Sequence, residues 1–166
     1  MSEIDILSFG ETMAMLVAEQ TGDLAQVMNF HKRIAGADSN VAIGLSRLGF
    51  QVAWLSRVGA DSLGRFVLDT LQGEGLDCAQ VEVDAAYPTG FQFKSREEDG
   101  ADPQVEYFRR GSAASRLSPA HIAPRLLQAR HLHATGIPPA LSDSARELSF
   151  ELMTQMRGAG RSVSFD

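Results

Sequence analysis

Ala35-Gly36-Ala37-Asp38-Ser39-Asn40-Val41-Ala42-Ile43-Gly44-Leu45-Ser46-Arg47-Leu48-Gly49 is the stretch on which the reading of the fold turns. Small and polar residues lead out of a loop into a run where Val41, Ile43, Leu45 and Leu48 follow a helical pattern, and Gly49 supplies the stop. Directly beyond it, Val52-Ala53-Trp54-Leu55 reads as a buried strand. A helix that hands over to a short apolar strand is the building unit of α/β proteins with parallel sheets.

Working outward, Ile4 to Phe9 reads as a buried first strand ended by Gly10. A second apolar segment, Met13 to Val17, follows almost at once, and a turn-rich stretch at Thr21-Gly22-Asp23 leads to a return segment from Val27 to Ile34. Close strands with no helix between them predict an antiparallel flap. Asp61 or Ser62 is positioned to cap a helix through Phe66, Val67, Leu68 and Leu71, closed by Gly73-Glu74-Gly75, and Val81-Glu82-Val83 reads as strand. Residues 90–109 alternate as a hairpin, with Gly90 to Lys94 and Val105 to Arg109 flanking an acidic loop from Glu97 to Asp102. A helix from Ser118 to Leu127, a strand from Ala129 to Ala134 and a break at Gly136-Ile137-Pro138-Pro139 follow. Ser142 to Met156 is a helix with Leu148, Leu152 and Met156 on one face, and Ser162 to Asp166 begins a strand.

The chain has 166 residues, 44% of them hydrophobic, which allows one ordinary domain. Its formal net charge of −6 argues against nucleic acid or an anionic membrane surface as partner. Cations are 13 arginines and only two lysines, Lys32 and Lys94, so an anion site here is expected to be built from guanidinium. A single cysteine, Cys78, excludes an intramolecular disulfide and fits a reducing cytoplasm. Neither a signal peptide nor an apolar run of the ~20 residues that span a bilayer is visible.

Neither a G-x-x-x-x-G-K-[ST] phosphate loop nor a G-x-G-x-x-G fingerprint occurs. His131 and His133 share a strand face without a third ligand at convincing spacing, which favours packing or capping over a metal. Cys78 reads as a core or surface thiol. More informative are four turns, at Gly10-Glu11, Gly36, Arg57-Val58-Gly59-Ala60-Asp61 and Ala134-Thr135-Gly136-Ile137, which place glycine or polar residues where parallel strands end and ligands bind. Asn40, at a helix entry, can cap backbone N–H groups or serve a sugar hydroxyl, and Gly36 lets a ligand approach the backbone. Tyr107 and Arg109 lie two apart and so on one strand face; Arg109 is either a solvated flap residue or a fork for a carboxylate.

The glycine and asparagine spacing from Gly36 through Asn40 to Gly49 and Gly59, with Gly10-Glu11, Arg57 to Gly64 and Thr89-Gly90 in order, resembles the N-terminal half of a PfkB-type, ribokinase-like carbohydrate kinase. Tyr107 to Ser115 and Thr135 to Leu141 are similar to 2-keto-3-deoxygluconate kinases, and fructokinases share much of the pattern. The resemblance implies an α/β fold with a parallel-type sheet, flanking helices and a small antiparallel β flap. Residues 1–166 would form the N-terminal part of one kinase domain, with lid segments at approximately 13–34 and 88–110. It also implies that Gly36, Asn40, Gln92, Tyr107, Arg109 and Ile137 line a sugar-acid pocket, Gln92 standing where some relatives place a tyrosine. ATP and Mg2+ are the implied cofactors, a homodimer or higher homo-oligomer through the lid the implied assembly, and the cytoplasm the implied location. The catalytic base is expected in a late Gly-x-Gly-Asp segment that these residues do not contain, so the 166-residue chain is expected to be inactive alone. Asp38 and Asp61 are read instead as loop or capping residues, and Asp166 as the start of an Asp-x-Asn-x-Arg stretch. The alternative of another class is a non-catalytic sugar-acid-binding module.

Overall fold

A computed structural model describes residues 4–98 and 100–166. Five parallel strands form the main sheet: β1 (Ile6–Phe9), β4 (Val52–Gly59), β5 (Asp77–Asp84), β8 (His131–Ala134) and β9 (Ser162–Phe165), in the order β5-β4-β1-β8-β9. The chain leaves β1 for β4 and β5 on one side, then returns to place β8 and β9 on the other. The strand order therefore reverses between β1 and β8, which is where open α/β sheets bind ligands.

Alternate residues of β1 serve opposite layers, as the period-two geometry of a strand dictates. Ile6 joins Val52, Trp54, Val67 and Leu71 beneath helices α1 (Ala37–Arg47) and α2 (Ser62–Gly73). Leu7 and Phe9 join Leu55, Leu132, Leu148, Leu152 and Met156 beneath helix α4 (Asp143–Gly158). Helix α4 carries the expected buried stripe, and its N-cap Ser142 accepts a hydrogen bond from the Ala145 N–H. Cys78 lies in the first of these two cores, where burial pushes its thiol up to about 11.

The second sheet has four strands in the order β3-β2-β6-β7: β2 (Met13–Thr21), β3 (Phe30–Ala35), β6 (Phe91–Arg96) and β7 (Val105–Phe108). It consists of two antiparallel hairpins joined by a parallel β2–β6 pair, because the whole β4-α2-β5 unit intervenes between them. One face carries Phe30, Phe91, Phe93 and Phe108; Phe91 stacks on Phe108 with ring centroids 4.8 Å apart.

Four local expectations change. The stretch from Ser118 to Leu127 is not a continuous helix but short 3-10 turns at Pro119–His121 and Leu126–Gln128, since Pro124 has no N–H to donate and its ring would clash with the carbonyl four residues back. The break at Gly136 opens a short helix, α3 (Ile137–Leu141), whose two prolines sit in the first turn where an N–H is not needed. Leu48, placed by its spacing on the apolar helix face, is 76% exposed, and Ala42 makes the buried contact of α1 instead. The strand read at Val81–Val83 extends over Asp77–Asp84.

Candidate active site

At the carboxyl edge of the main sheet, three of the four turns singled out above meet the ends of parallel strands: Gly10 after β1, Gly59 at the end of β4, and Thr135-Gly136 after β8. Gly36 follows β3, a strand of the second sheet, and caps α1. Side chains are excluded there by contact, since a Cβ on Gly36 would stand 2.6 Å from the Glu11 carbonyl oxygen. The Gly36 carbonyl accepts the Asn40 N–H at 2.9 Å.

The centre of charge is Glu11, between β1 and β2. Its side chain is 1% exposed, and its Oε2 receives both Nε and Nη2 of Arg109, at 2.7 and 2.6 Å. Its Oε1 accepts the Ser112 hydroxyl. Burial pushes the Glu11 carboxyl above its usual range, partly offset by Arg109 and Ser112. Gly90 closes over this carboxylate: a Cβ there would lie 2.6 Å from Oε1. Arg109 is thus not the free fork expected of it. Two of its nitrogens, Nε and Nη2, are committed to Glu11, and Nη1 is not.

Arg109, Tyr107 and Ile137 line one depression of about 650 Å3, walled by the segment that leaves β7 on one side and by α3 on the other. Gln92 is opposite Tyr107 in the β6–β7 register and is 6% exposed, so the two share a sheet face. Asn40 does not join them. It is exposed and lines a second depression with Lys32, Arg33, Ile34 and Phe66, between the second sheet and helices α1 and α2.

Asp61 caps α2: its carboxylate accepts the Gly64 N–H at 2.7 Å and the Thr89 N–H at 2.8 Å. Burial is outweighed by these bonds, and its carboxyl is held below the usual range. Asp38 does not cap anything. It is fully buried in the first turn of α1, beside Gly10, and neither carboxylate oxygen has a hydrogen-bond partner of normal geometry. Burial pushes its pKa up to about 6, against which the facing hydroxyl and amide of Thr135 act only in part. His131 and His133 bond to serines of β9, His131 to Ser162 and Ser164 and His133 to Ser164, in keeping with a capping role.

Glu11 and Ser112 escape a reading of sequence alone. Gly10-Glu11 marks a strand end, but nothing local announces an ion pair with a residue 98 positions away.

The doubly wound parallel sheet with a small second sheet beside its carboxyl edge defines a ribokinase-like α/β protein. The family model "pfkB family carbohydrate kinase" matches residues 3–166, and the chain belongs to that family. It is 48% identical over 166 residues to the 2-dehydro-3-deoxygluconokinase of Bacillus subtilis (strain 168), covering 99% of this chain and 51% of that protein. Among solved structures, a PfkB protein from Polaromonas sp. JS666 is 53% identical with a TM-score of 0.95, over 98% of this chain and 55% of that one. An uncharacterized sugar kinase from Pyrococcus horikoshii in complex with ATP is 27% identical with a TM-score of 0.85, over 97% of this chain and 52% of that one. The chain thus spans about half the length of the relatives it matches.

Proposed function

We propose that the protein serves an ATP-dependent kinase that transfers a phosphoryl group to 2-keto-3-deoxygluconate, giving the 6-phosphate, and that these 166 residues supply the sugar-acid side of the site. The observation that carries this reading is the buried Glu11–Arg109 pair. It holds a guanidinium, 24% exposed, beside a depression that Tyr107 also lines. A sugar acid offers a carboxylate to such a cation, whereas fructose does not. Gly36, Asn40, Gln92, Tyr107, Arg109 and Ile137 remain the proposed substrate residues. Asn40 lines a different depression from Tyr107, Arg109 and Ile137.

ATP with its Mg2+ is the proposed co-substrate. Among the described residues no group of three His, Cys, Asp or Glu stands together to hold the ion, so no step is assigned to it in this chain. What the chain does is bind and orient. Glu11 fixes the plane of Arg109, Arg109 holds the carboxylate, and the second sheet, acting as a lid over residues 13–34 and 88–110, keeps water from the transferring group. The aromatic face of that sheet, with Phe108 47% exposed, is proposed to pair across a homodimer.

ADP release measured with 2-keto-3-deoxygluconate, and with fructose as control, tests the reading in a protein of full kinase length. Turnover confined to the keto acid supports it; turnover with fructose alone refutes it. The 166-residue chain by itself is expected to release no ADP, and sedimentation as a monomer at micromolar concentration would remove the dimer.

A further inference from the structure

Three carboxylates are buried among the described residues: Glu11, Asp38 and Asp84. Two of them are answered. Glu11 accepts Arg109 and the Ser112 hydroxyl, and Asp84 accepts Arg57 together with the N–H groups of Ala86 and Tyr87. Asp38 enters no ion pair among the described residues, and no donor of normal geometry reaches either of its oxygens. A charge left in that state keeps most of its desolvation cost, which is why burial pushes this carboxyl up to about 6. The phosphoryl transfer proposed above makes no use of it.

Asp38 stands next to the turn that holds Arg109, not in a remote part of the core. A Cβ on Gly10 would lie 2.6 Å from its Oδ2, Gly10 precedes Glu11 in the turn between β1 and β2, and Glu11 fixes Arg109. Thr135 faces Asp38 from the turn after β8 and carries no charge. The other charged residue of its own helix, Arg47, lies at the opposite end of α1 and is bound to Glu74. Of the neighbouring charged groups, Glu11 and Arg109, the second favours the ionised form of Asp38. Two acids thus draw on a single guanidinium, and with both ionised the group already holds more negative charge than that cation can neutralise.

We infer that a carboxylate bound at Arg109 enters together with a proton, and that Asp38 receives the proton. As the anion arrives, one Asp38 oxygen forms an O–H bond with a proton drawn from solvent, the side chain becomes a neutral carboxylic acid, and the negative charge around Arg109 stays as it was. The driving force is electrostatic, because one guanidinium in a water-poor site cannot compensate Glu11, Asp38 and a third carboxylate at once. By linkage, anion affinity is highest where Asp38 already carries its proton, at and below about pH 6, and falls as pH rises above that value. A neutral sugar brings no charge, calls up no proton and is indifferent to Asp38, so this side chain sets how strongly the site prefers an acid over a neutral sugar at a given pH. The anion half of this rests on the sugar-acid reading of the site; the proton half rests on Asp38.

Calorimetric titration with 2-keto-3-deoxygluconate, in a protein of full kinase length, tests this. Two buffers of different ionisation enthalpy at pH 7 count the protons taken up, and dissociation constants at pH 6 and pH 7.5 give the affinities. Native protein and Asp38→Asn are compared, with thermal midpoints as a check on folding. The native protein should take up a few tenths of a proton or more at about pH 7, and its Kd should rise at least about threefold from pH 6 to pH 7.5. Asp38→Asn should lose most of that uptake, change its Kd by less than about twofold over the same interval, and bind more tightly than the native protein at pH 7.5. Native binding with no proton uptake overturns the inference, whether or not the variant folds, and leaves the sugar-acid reading standing. Uptake and pH dependence that persist unchanged in Asp38→Asn assign the proton to another group and overturn it as well. Absence of binding at both pH values sinks the sugar-acid reading, and this inference with it.

Discussion

Replacing Asp38 with asparagine should stabilise the protein above pH 6 and flatten part of its stability–pH profile. Asp38 is fully buried and its pKa is raised from 3.8 to about 6, chiefly by burial. A carboxyl whose folded pKa exceeds its unfolded value binds its proton more tightly in the native state, so stability is highest below about pH 4 and falls as pH rises toward 6. A displacement of about two units corresponds to a loss of about 3 kcal/mol once the group is charged. Asparagine has nearly the same shape and no charge to bury. Urea unfolding midpoints of the native chain and Asp38→Asn, measured from pH 4 to pH 7.5, give a difference curve. Asp61 and Asp77, whose carboxyls are held low, titrate alike in both proteins and cancel. The difference should climb in favour of the variant between pH 4 and 6 and then level off. A difference that is flat over that interval, or that favours the native chain as pH rises, refutes the account of a buried, unpartnered carboxyl.

Glycine substitutions offer a paired test of close packing. Gly44 lies inside α1 with nothing within 4 Å of where a Cβ would stand, so Gly44→Ala should raise stability by about 0.5–1 kcal/mol in a denaturant titration. Gly64→Ala should lower it by about 1–3 kcal/mol, because the new Cβ would stand 2.1 Å from the Gly59 carbonyl oxygen. Glu11→Gln removes the buried partner of Arg109 and should cost about 3 kcal/mol in the same titration, the lower end for a broken buried pair because Arg109 is partly exposed. Cys78 should react with iodoacetamide at pH 8 at least about 100-fold more slowly in the native chain than in urea, since burial raises its pKa from 9.0 to about 11.

Much of the architecture is written in local signals. Buried strands such as Val52–Leu55, the Asp61 cap and the Leu148-Leu152-Met156 stripe each follow from residues within a few positions of one another, and each stands where the pattern places it. What local pattern cannot carry is pairing at a distance. The parallel β2–β6 contact joins residues almost eighty positions apart and depends on the intervening unit folding back. The Tyr107–Arg109 spacing announces a shared face, but only the tertiary fold brings Glu11 behind Arg109 and turns an open fork into a one-sided grip. Asp38 is a related case. The approach to α1 reads as loop or cap, yet here the cap position falls to Gly36 and Asp38 is buried within the first turn, its carboxyl beside Gly10.

The position of the Glu11 network bears on how a site between two sheets can be precise and mobile at once. Glu11 stands where the chain passes from β1 into β2, Gly90 immediately before β6, and Arg109 and Ser112 immediately after β7. Every member thus lies at the root of the second sheet, against the carboxyl edge of the main one. Atoms at the root of a rotating body move least, so a rocking of the second sheet about this junction would displace its far end, where Lys94 pairs with Val105, more than the Arg109 guanidinium. The Arg109 guanidinium would stay where it is while the strands above it travel. Two buried bonds to Glu11 resist any independent swing of Arg109, since a guanidinium leaving that carboxylate would strand a negative charge in a site that excludes water. Holding Arg109 and permitting movement of the sheet would thus be properties of different residues, and a Glu11 substitution should loosen Arg109 without altering the pairing of β6 with β7.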